Sequence, residues 1–194
     1  MSDEVKRMAE LIIGEIGRAF SDVSRAEGVT LHEALVIDEY GSDSERSAAR
    51  KLDTDCRWED VPDRLIEEND SALCFLDPKG FRYYLPAYMV WSLRNHETSG
   101  TFSHNHPICS LALSDSGSMR RWQLELFEVF NDEQAKAICK FLRFMAQRDA
   151  LIVCVDEARA ALDAYWGKFC DVMAGSRSAV GRVSTQPAHG TYEL

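Results

Sequence analysis

Apolar residues recur at three- and four-residue intervals near both ends of the chain, and this spacing predicts amphipathic α-helices. One such stripe predicts a helix over residues 3–23, through Val5, Met8, Ile12, Ile16, Ala19, Phe20 and Val23. A second stripe predicts a helix over residues 131–147, with Asn131 as its N-cap. A third predicts a long helix over residues 152–173.

Shorter helices are predicted between these long ones. Thr30 and Glu33 have the spacing of a capping box, which opens a helix over residues 31–40. A polar helix over residues 42–52 and a short helix over residues 63–68 follow. Because the first of these has few apolar side chains, we expect it to lie on the surface.

The pattern changes between residues 72 and 95. Residues 72–76 are apolar, Asp77-Pro-Lys-Gly80 has the composition of a tight turn, and residues 81–85 are again mostly apolar. Two strands in a hairpin and a bend between two helical pieces both fit this pattern. Pro86 fits the first position of a helix that continues to about residue 95.

The remaining segments lack a clear period. Residues 96–119 have the composition of a loop, and no element is assigned to residues 122–130. The sequence beyond residue 173 is rich in Ser, Gly, Arg and Thr, which predicts disorder. The predicted fold is therefore mainly α: one compact multi-helix domain over residues 1–173, with at most a short central β-hairpin, and a disordered tail over residues 174–194.

The net charge of −10 is distributed unevenly. Residues 1–70 contain nineteen acidic and nine basic side chains, whereas residues 71–194 contain thirteen of each. An acidic surface repels nucleic acids and anionic membranes and accelerates encounter with a basic protein. We therefore expect no nucleic-acid or membrane partner, and a basic protein is the expected partner if this surface binds one.

Compartment and cysteine chemistry follow from what the sequence lacks. No apolar run approaches the ~18 residues of a membrane span, and the first residues do not resemble a secretory signal, so a cytoplasmic location is expected.

The six cysteines lie at least fifteen residues apart, without a Cys-x-x-Cys motif. We expect them to be reduced and to pack as small apolar side chains.

Candidate chemistry is sparse. His104 and His106, with His96 nearby, could contribute to a metal site in the loop, but a zinc site needs further ligands at defined spacing. The sequence contains no nucleophile elbow, phosphate-binding loop or dinucleotide fingerprint. No catalytic residue, metal ligand or cofactor is therefore assigned, and an enzymatic activity is less expected than its absence.

The densest feature is an aromatic segment, residues 75–91, in which Arg82 lies among large apolar side chains. Such a segment forms the structural centre of many folds. It could also form a binding groove, because Tyr, Trp and Arg are enriched at binding hot spots. The candidate binding residues are Arg82, Tyr83, Tyr84, Tyr88 and Trp91.

This segment also carries a family resemblance. Phe81-Arg-Tyr-Tyr-Leu-Pro-Ala-Tyr-Met89 resembles the characteristic motif of a family of small, uncharacterised bacterial proteins, a domain of unknown function. The resemblance covers residues 10–167 and includes further similar segments: Ile16-Gly-Arg-Ala-Phe20, Trp58 with Val61-Pro62, Asn131-Asp-Glu-Gln134 leading to Phe141-Leu142, and Ala161-Leu followed by Tyr165-Trp166. It implies a shared fold and transfers no catalytic residues.

Three functional hypotheses remain. The first is a non-enzymatic cytoplasmic protein-interaction module with an acidic N-terminal face, of which one form is an immunity-type protein that neutralises a basic toxin. The alternative is a metal-dependent hydrolase that uses the loop of His104 and His106. A third is a mimic of DNA, which requires carboxylates spaced like phosphates on one exposed surface.

Overall fold

The computed structural model describes residues 2–69 and 71–170, and within these ranges the secondary structure is entirely helical. Nine α-helices follow one another along this part of the chain: α1 Asp3–Ala19, α2 Leu31–Asp38, α3 Asp43–Ala49, α4 Asp63–Glu68, α5 Pro78–Asn95, α6 His106–Leu111, α7 Gly117–Phe127, α8 Asp132–Met145 and α9 Val155–Ala164. The predicted fold class, mainly α, is confirmed, and the optional hairpin does not form in the described residues. The predicted tail, residues 174–194, lies outside them, so both the tail and the domain boundary at residue 173 stay predictions.

Polar side chains cap the helices at the starts that the sequence predicts. The hydroxyl of Thr30 accepts from the backbone N–H of Glu33, and the Glu33 carboxylate accepts in return from the N–H of Thr30, which completes the predicted capping box of α2. Asn131 and Gln134 form the same reciprocal pair at the start of α8. These bonds satisfy N–H groups that the first turn of a helix leaves without partners.

Helix α5 begins eight residues before the predicted start. Asp77 is its N-cap and accepts from the N–H of Gly80 at 2.9 Å, and Pro78 occupies the first turn. The prediction of a tight turn at residues 77–80 is wrong, because these residues form the N-cap and first turn of α5. The prediction of a helix opened by Pro86 is also wrong, because Pro86 lies inside α5. A proline inside a helix costs about 3 kcal/mol, and the extensive burial of this helix offsets that cost.

Helix α5 forms the centre of the fold. Gly80, Phe81 and every residue from Tyr83 to Leu93 are buried. Around it pack α1, α4, α6, α7 and α8, and α1 and α8 also pack against each other. A helix that is apolar on nearly all sides is typical of the interior of a helical protein.

Other boundaries also differ from the sequence-based predictions. Helix α1 ends at Ala19 instead of residue 23, because Phe20 turns into the core and its carbonyl oxygen accepts from the indole N–H of Trp58 at 3.0 Å. The predicted loop over residues 96–119 contains α6 and the start of α7. The last predicted helix is shorter, since α9 ends at Ala164 and a 3-10 turn at Trp166–Phe169 follows.

The prediction that the cysteines are reduced and pack as small apolar side chains does not hold for all of them. Cys139 of α8 forms a disulfide with Cys170, with their Cα atoms 5.7 Å apart, a separation that a disulfide spans. Cys56, Cys74 and Cys109 are free and exposed. The disulfide attaches the end of the described chain to α8.

Within the described residues, no helix combines the length and the apolar character that crossing a membrane requires.

The start of α5 packs backbone to backbone against the segment before α2. Asp77 accepts from the N–H of Val29 at 2.7 Å as well as from Gly80. A Cβ atom at Gly28 would lie 2.5 Å from the backbone nitrogen of Gly80, and one at Gly80 would collide with the carbonyl oxygen of Val29. Glycine at both positions permits this close approach.

Replacing Gly80 by alanine is expected to lower the free energy of unfolding by roughly 1–3 kcal/mol, because the added methyl group overpacks this contact. Gly17 is a matched control, since a methyl group there, in the last turn of α1, meets nothing within 4 Å. Gly17→Ala is expected to raise the free energy of unfolding by up to about 1 kcal/mol, because alanine favours helix. Urea denaturation measures both variants, and a shift of the same sign in the two contradicts the packing at Gly80.

Candidate functional site

The structure separates the five candidate binding residues of the aromatic segment. Tyr83 and Tyr84 join a polar network with Arg25, Tyr88 lies in the core, Trp91 contributes to a groove beside α4, and Arg82 lines a cleft beside α8. They do not form one groove. The set stays a prediction, and each of its members is placed in turn below.

Arg25 is the centre of the polar network. Its Nη1 donates to the hydroxyl oxygen of Tyr84 at 2.7 Å and to the carboxylate of Asp55 at 3.0 Å, and its Nη2 donates to the carbonyl of Asp53 at 3.1 Å. Burial disfavours the charge of Arg25, but the bond with Tyr84 and the nearby Asp55 raise its pKa above the ordinary value. The pKa values of Tyr83 and Tyr84 are raised by burial and by the Asp55 carboxylate, so both tyrosines stay neutral.

A histidine–carboxylate pair extends this network. Asp53, whose side chain is fully buried, accepts from the backbone N–H of His32 at 3.0 Å, and its other oxygen lies 2.7 Å from the ring Nδ1. A buried carboxylate that orients a histidine is one element of nucleophilic catalysis. The described residues supply no hydroxyl or thiol hydrogen-bonded to His32, so the pair has the role of joining α2 to residues 53–55.

Tyr88 and Trp91 face the interior. Tyr88 donates to the backbone carbonyl of Asn69 at 2.6 Å, which attaches the end of α4 to α5. Trp91 is only 2% exposed and contributes to the floor of a groove of about 270 Å³ between α1 and α4. Trp58, Ala87 and Val90 also line this groove.

An acidic rim, defined as Asp60, Asp63 and Glu67, lies on α4 and on the turn that precedes it. All three side chains are exposed, and no cation among the described residues forms an ion pair with them. Asp63 and Glu67 are four residues apart on α4 and therefore project from one side of it. Asp63 also lines the groove, so carboxylates border an apolar floor.

Arg82 lines a larger cleft, of about 610 Å³, where the end of α1 meets the start of α8. Its Nε donates to the side-chain oxygen of Gln134 at 3.0 Å. Gln134 is 1% exposed, and its nitrogen donates to the carbonyl of Ala19 at 3.2 Å. A buried glutamine therefore holds the guanidinium at the wall of the cleft.

The cleft has mixed charge. Besides Arg82 it is lined by three cationic side chains, Arg18, Lys136 and Lys140, and by three acidic ones, Glu15, Asp22 and Glu133. Lys140 pairs with Glu15 at 2.6 Å, and Lys136 pairs with Glu133 at 3.4 Å. In the part of the chain that the structure describes, neither Arg18 nor Arg82 has a carboxylate partner.

The histidine loop has structural contacts. His104 is buried, and its Nε2 lies 3.0 Å both from the carbonyl oxygen of Ile152 and from the side-chain nitrogen of Asn105. The ring of His106 packs edge-on against Phe102, and His96 is buried beside Phe144. Among the described residues, no three His, Cys, Asp or Glu side chains are arranged to hold a metal ion.

Several residues that form the Arg25 network and the Arg82 cleft could not be identified from the sequence. Arg25, His32, Asp53 and Asp55 lie in segments without a motif, and their partners are up to 59 positions away in the chain. Gln134 was recognised only as part of a helix start. One signal was available for Arg82, since a charge beside large apolar groups requires solvent or a partner.

Residues 8–170 match a family model whose description is a family of unknown function, DUF6714. The match agrees with the resemblance drawn from the aromatic segment. No curated protein and no solved structure matches the chain.

Removing the cation of the buried network is expected to destabilise the protein strongly. Arg25→Met leaves the Asp55 carboxylate, 5% exposed, without its counter-charge, and we expect a loss of roughly 3–5 kcal/mol in the free energy of unfolding. Tyr84→Phe removes one hydroxyl and is expected to cost about 1 kcal/mol. In urea denaturation, the double variant Arg25→Met, Asp55→Asn is expected to recover part of the stability that Arg25→Met loses. If the losses of the two single variants simply add in the double variant, the coupling between Arg25 and Asp55 is contradicted.

Stability is expected to depend on pH through His96. Burial lowers the pKa of His96 below the ordinary 6.5, so an unfolded chain binds a proton there at a higher pH than the folded chain does. The free energy of unfolding therefore decreases as the pH falls below about 6.5, until the lower pKa of the folded state is reached. His96→Gln is uncharged at every pH, and urea denaturation at about pH 7.5 and about pH 5.5 should show a smaller loss for this variant than for the parent. An equal loss contradicts the assignment to His96.

Proposed function

The chain belongs to DUF6714, a family of unknown function, and from this premise we propose that it is a non-enzymatic protein-interaction module that binds a basic partner protein. The observation that carries the proposal is the exposed acidic rim of Asp60, Asp63 and Glu67, of which Asp63 borders the groove of Trp91. The sequence predicts a broad acidic face in the N-terminal third, and the proposal assigns binding to this one part of it.

Most of the interior acidic side chains of the N-terminal part are already neutralised. Glu33 accepts from Arg46 at 3.1 Å and from Arg50 at 2.9 Å. Asp55 pairs with Arg25, as described above. Such carboxylates contribute little to attraction of a partner, because their counter-charges are within contact distance. The rim carboxylates differ, since they are exposed and their field reaches solvent.

The rim is also held in a fixed position. Trp58 and Val61 are 4% and 6% exposed and anchor the segment before α4, and Ile66 anchors α4 itself at 2%. The indole N–H of Trp58 donates to the carbonyl of Phe20, which fixes this segment to the end of α1. A rigid surface loses little conformational entropy on binding, which favours affinity.

The groove next to the rim fits the chemistry of basic side chains. Its lining contains Trp58, Trp91 and Ala87, which offer apolar surface, together with Asp63 at the border. Lysine and arginine have apolar stems with a charged end, so the stems pack on such a floor while the charged ends reach the carboxylates. Arg94 also lines the groove and limits how many cations it accepts.

Two specific forms of this function differ in the partner. An immunity-type protein neutralises a toxin by covering its basic active surface, and a mimic of DNA occupies the nucleic-acid site of a binding protein. The identity of the captured partner separates the two forms. A metal-dependent hydrolase is not proposed, because the Nε2 of His104 is within hydrogen-bond distance of other protein groups and its loop offers no metal-binding cluster among the described residues.

The rim is tested by neutralising it. The triple variant Asp60→Asn, Asp63→Asn, Glu67→Gln is expected to bind the partner roughly tenfold more weakly, at about 0.5 kcal/mol for each exposed charge. Tagged parent and variant proteins are used to capture partners from lysate of the source cells at low and moderate salt. We expect a basic protein to be retained by the parent, more at low salt, because salt screens exposed charges.

The matched control changes the net charge equally at other places. Glu10, Glu125 and Asp163 are exposed on α1, α7 and α9, and Glu10→Gln, Glu125→Gln, Asp163→Asn retains the rim. The control is expected to capture the same partner as the parent does. Retention of that partner by the rim variant as strongly as by the parent, or failure of the parent to retain any basic protein at either salt concentration, contradicts the proposal.

A further inference from the structure

The guanidinium of Arg82 is held in one orientation by groups that are themselves fixed. The oxygen of the Gln134 side chain accepts from the Nε of Arg82 at 3.0 Å and from the backbone N–H of Asn131 at 3.3 Å. The nitrogen of the same amide donates to the carbonyl of Ala19, so the amide cannot rotate without losing bonds on both sides. Arg82 thus uses its Nε for structure and presents its two terminal nitrogens to the cleft.

These terminal nitrogens have no protein acceptor in the described part of the chain. Arg82 itself is half-buried on α5. A guanidinium donates up to five hydrogen bonds, and the contact with Gln134 accounts for one of them. The remaining donors face a space of about 610 Å³, within the range of small-molecule sites.

The charges around this space favour a monoanion. The two lysines of the cleft are paired with Glu133 and Glu15, which leaves Arg82 and Arg18 as the cations of the cleft that have no carboxylate partner among the described residues. Asp22 lines the same cleft without a cationic partner among the described residues. A phosphate dianion would be repelled by the three carboxylates of the cleft, whereas a carboxylate carries half that charge.

We propose that the Arg82 cleft binds a small molecule through a carboxylate group that receives two parallel hydrogen bonds from Arg82. A planar carboxylate matches the fork of a guanidinium, and such charge-assisted pairs are stronger than neutral hydrogen bonds. Asp22 accommodates a ligand that also bears an amino group, as free amino acids do. This site is separate from the acidic rim, and it requires no protein partner.

The site is tested by NMR on the isotopically labelled full chain. A panel of free amino acids and aliphatic carboxylates is titrated, with sodium chloride and sodium phosphate added at equal ionic strength as references. A carboxylate in the cleft is expected to shift the side-chain amide resonances of Gln134 and the backbone resonance of Ala19 in a saturable manner. The proposal is overturned if no panel member shifts them more than chloride does, or if phosphate shifts them more than every carboxylate.

Three variants assign the effect to Arg82. For whichever panel member binds, Arg82→Gln is expected to weaken the affinity at least about tenfold. This factor corresponds to the loss of roughly 1.5 kcal/mol for a charged hydrogen-bonded pair. Arg82→Lys keeps the charge but not the fork, and it is expected to bind more weakly than the parent does even if Arg82→Gln does not fold. Arg121→Gln removes an exposed arginine of α7 that lines neither this cleft nor the groove of Trp91, and it is expected to bind as the parent does. Unchanged affinity in Arg82→Lys overturns the bidentate contact.

Discussion

Burial of α5 on nearly all sides is the constraint on which the rest of the structure depends. Every polar group on a buried helix needs a partner, because a buried group without one costs free energy. Tyr84 meets Arg25, Tyr88 meets the carbonyl of Asn69, and Ser92 donates back to the carbonyl of Tyr88 at 2.7 Å. The aromatic residues that are most prominent in the sequence therefore organise the interior, and the contacts of their hydroxyl groups fix the surrounding helices.

The helices that could be predicted from the sequence are those whose signals are local. Amphipathic stripes and capping pairs such as Thr30 with Glu33 involve residues within one or two turns, so the positions of α1, α2 and α8 follow from them. The start of α5 was missed although its signals, Asp77 as N-cap and Pro78 in the first turn, are also local, because the same residues fit a tight turn. Pro86 is a strong local indication of a helix start, but the buried packing of the whole helix outweighs the hydrogen bond that proline removes.

The surfaces were predictable only in part, for the same reason. Arg82 stood out because charge and aromatic residues are adjacent in the sequence, but its partner Gln134 is 52 positions away. The excess of acid in residues 1–70 was evident, but which carboxylates are neutralised depends on arginines that folding brings near, as Arg50 is brought to Glu33. Composition gives the total charge of a region, and packing decides which part of it faces solvent.

The packing of α1 against α8 affects how the chain folds while it is being synthesised. Gln134 of α8 donates to the carbonyl of Ala19, which lies 115 positions earlier, and Lys140 pairs with Glu15 on the same interface. In a nascent chain, the part of α1 that packs on α8 therefore stays uncovered until α8 has left the ribosome. Contacts between such distant segments slow folding and make it cooperative. Termination of synthesis before residue 132 therefore leaves a product in which α1 has α5 to pack on but lacks its contacts with α8.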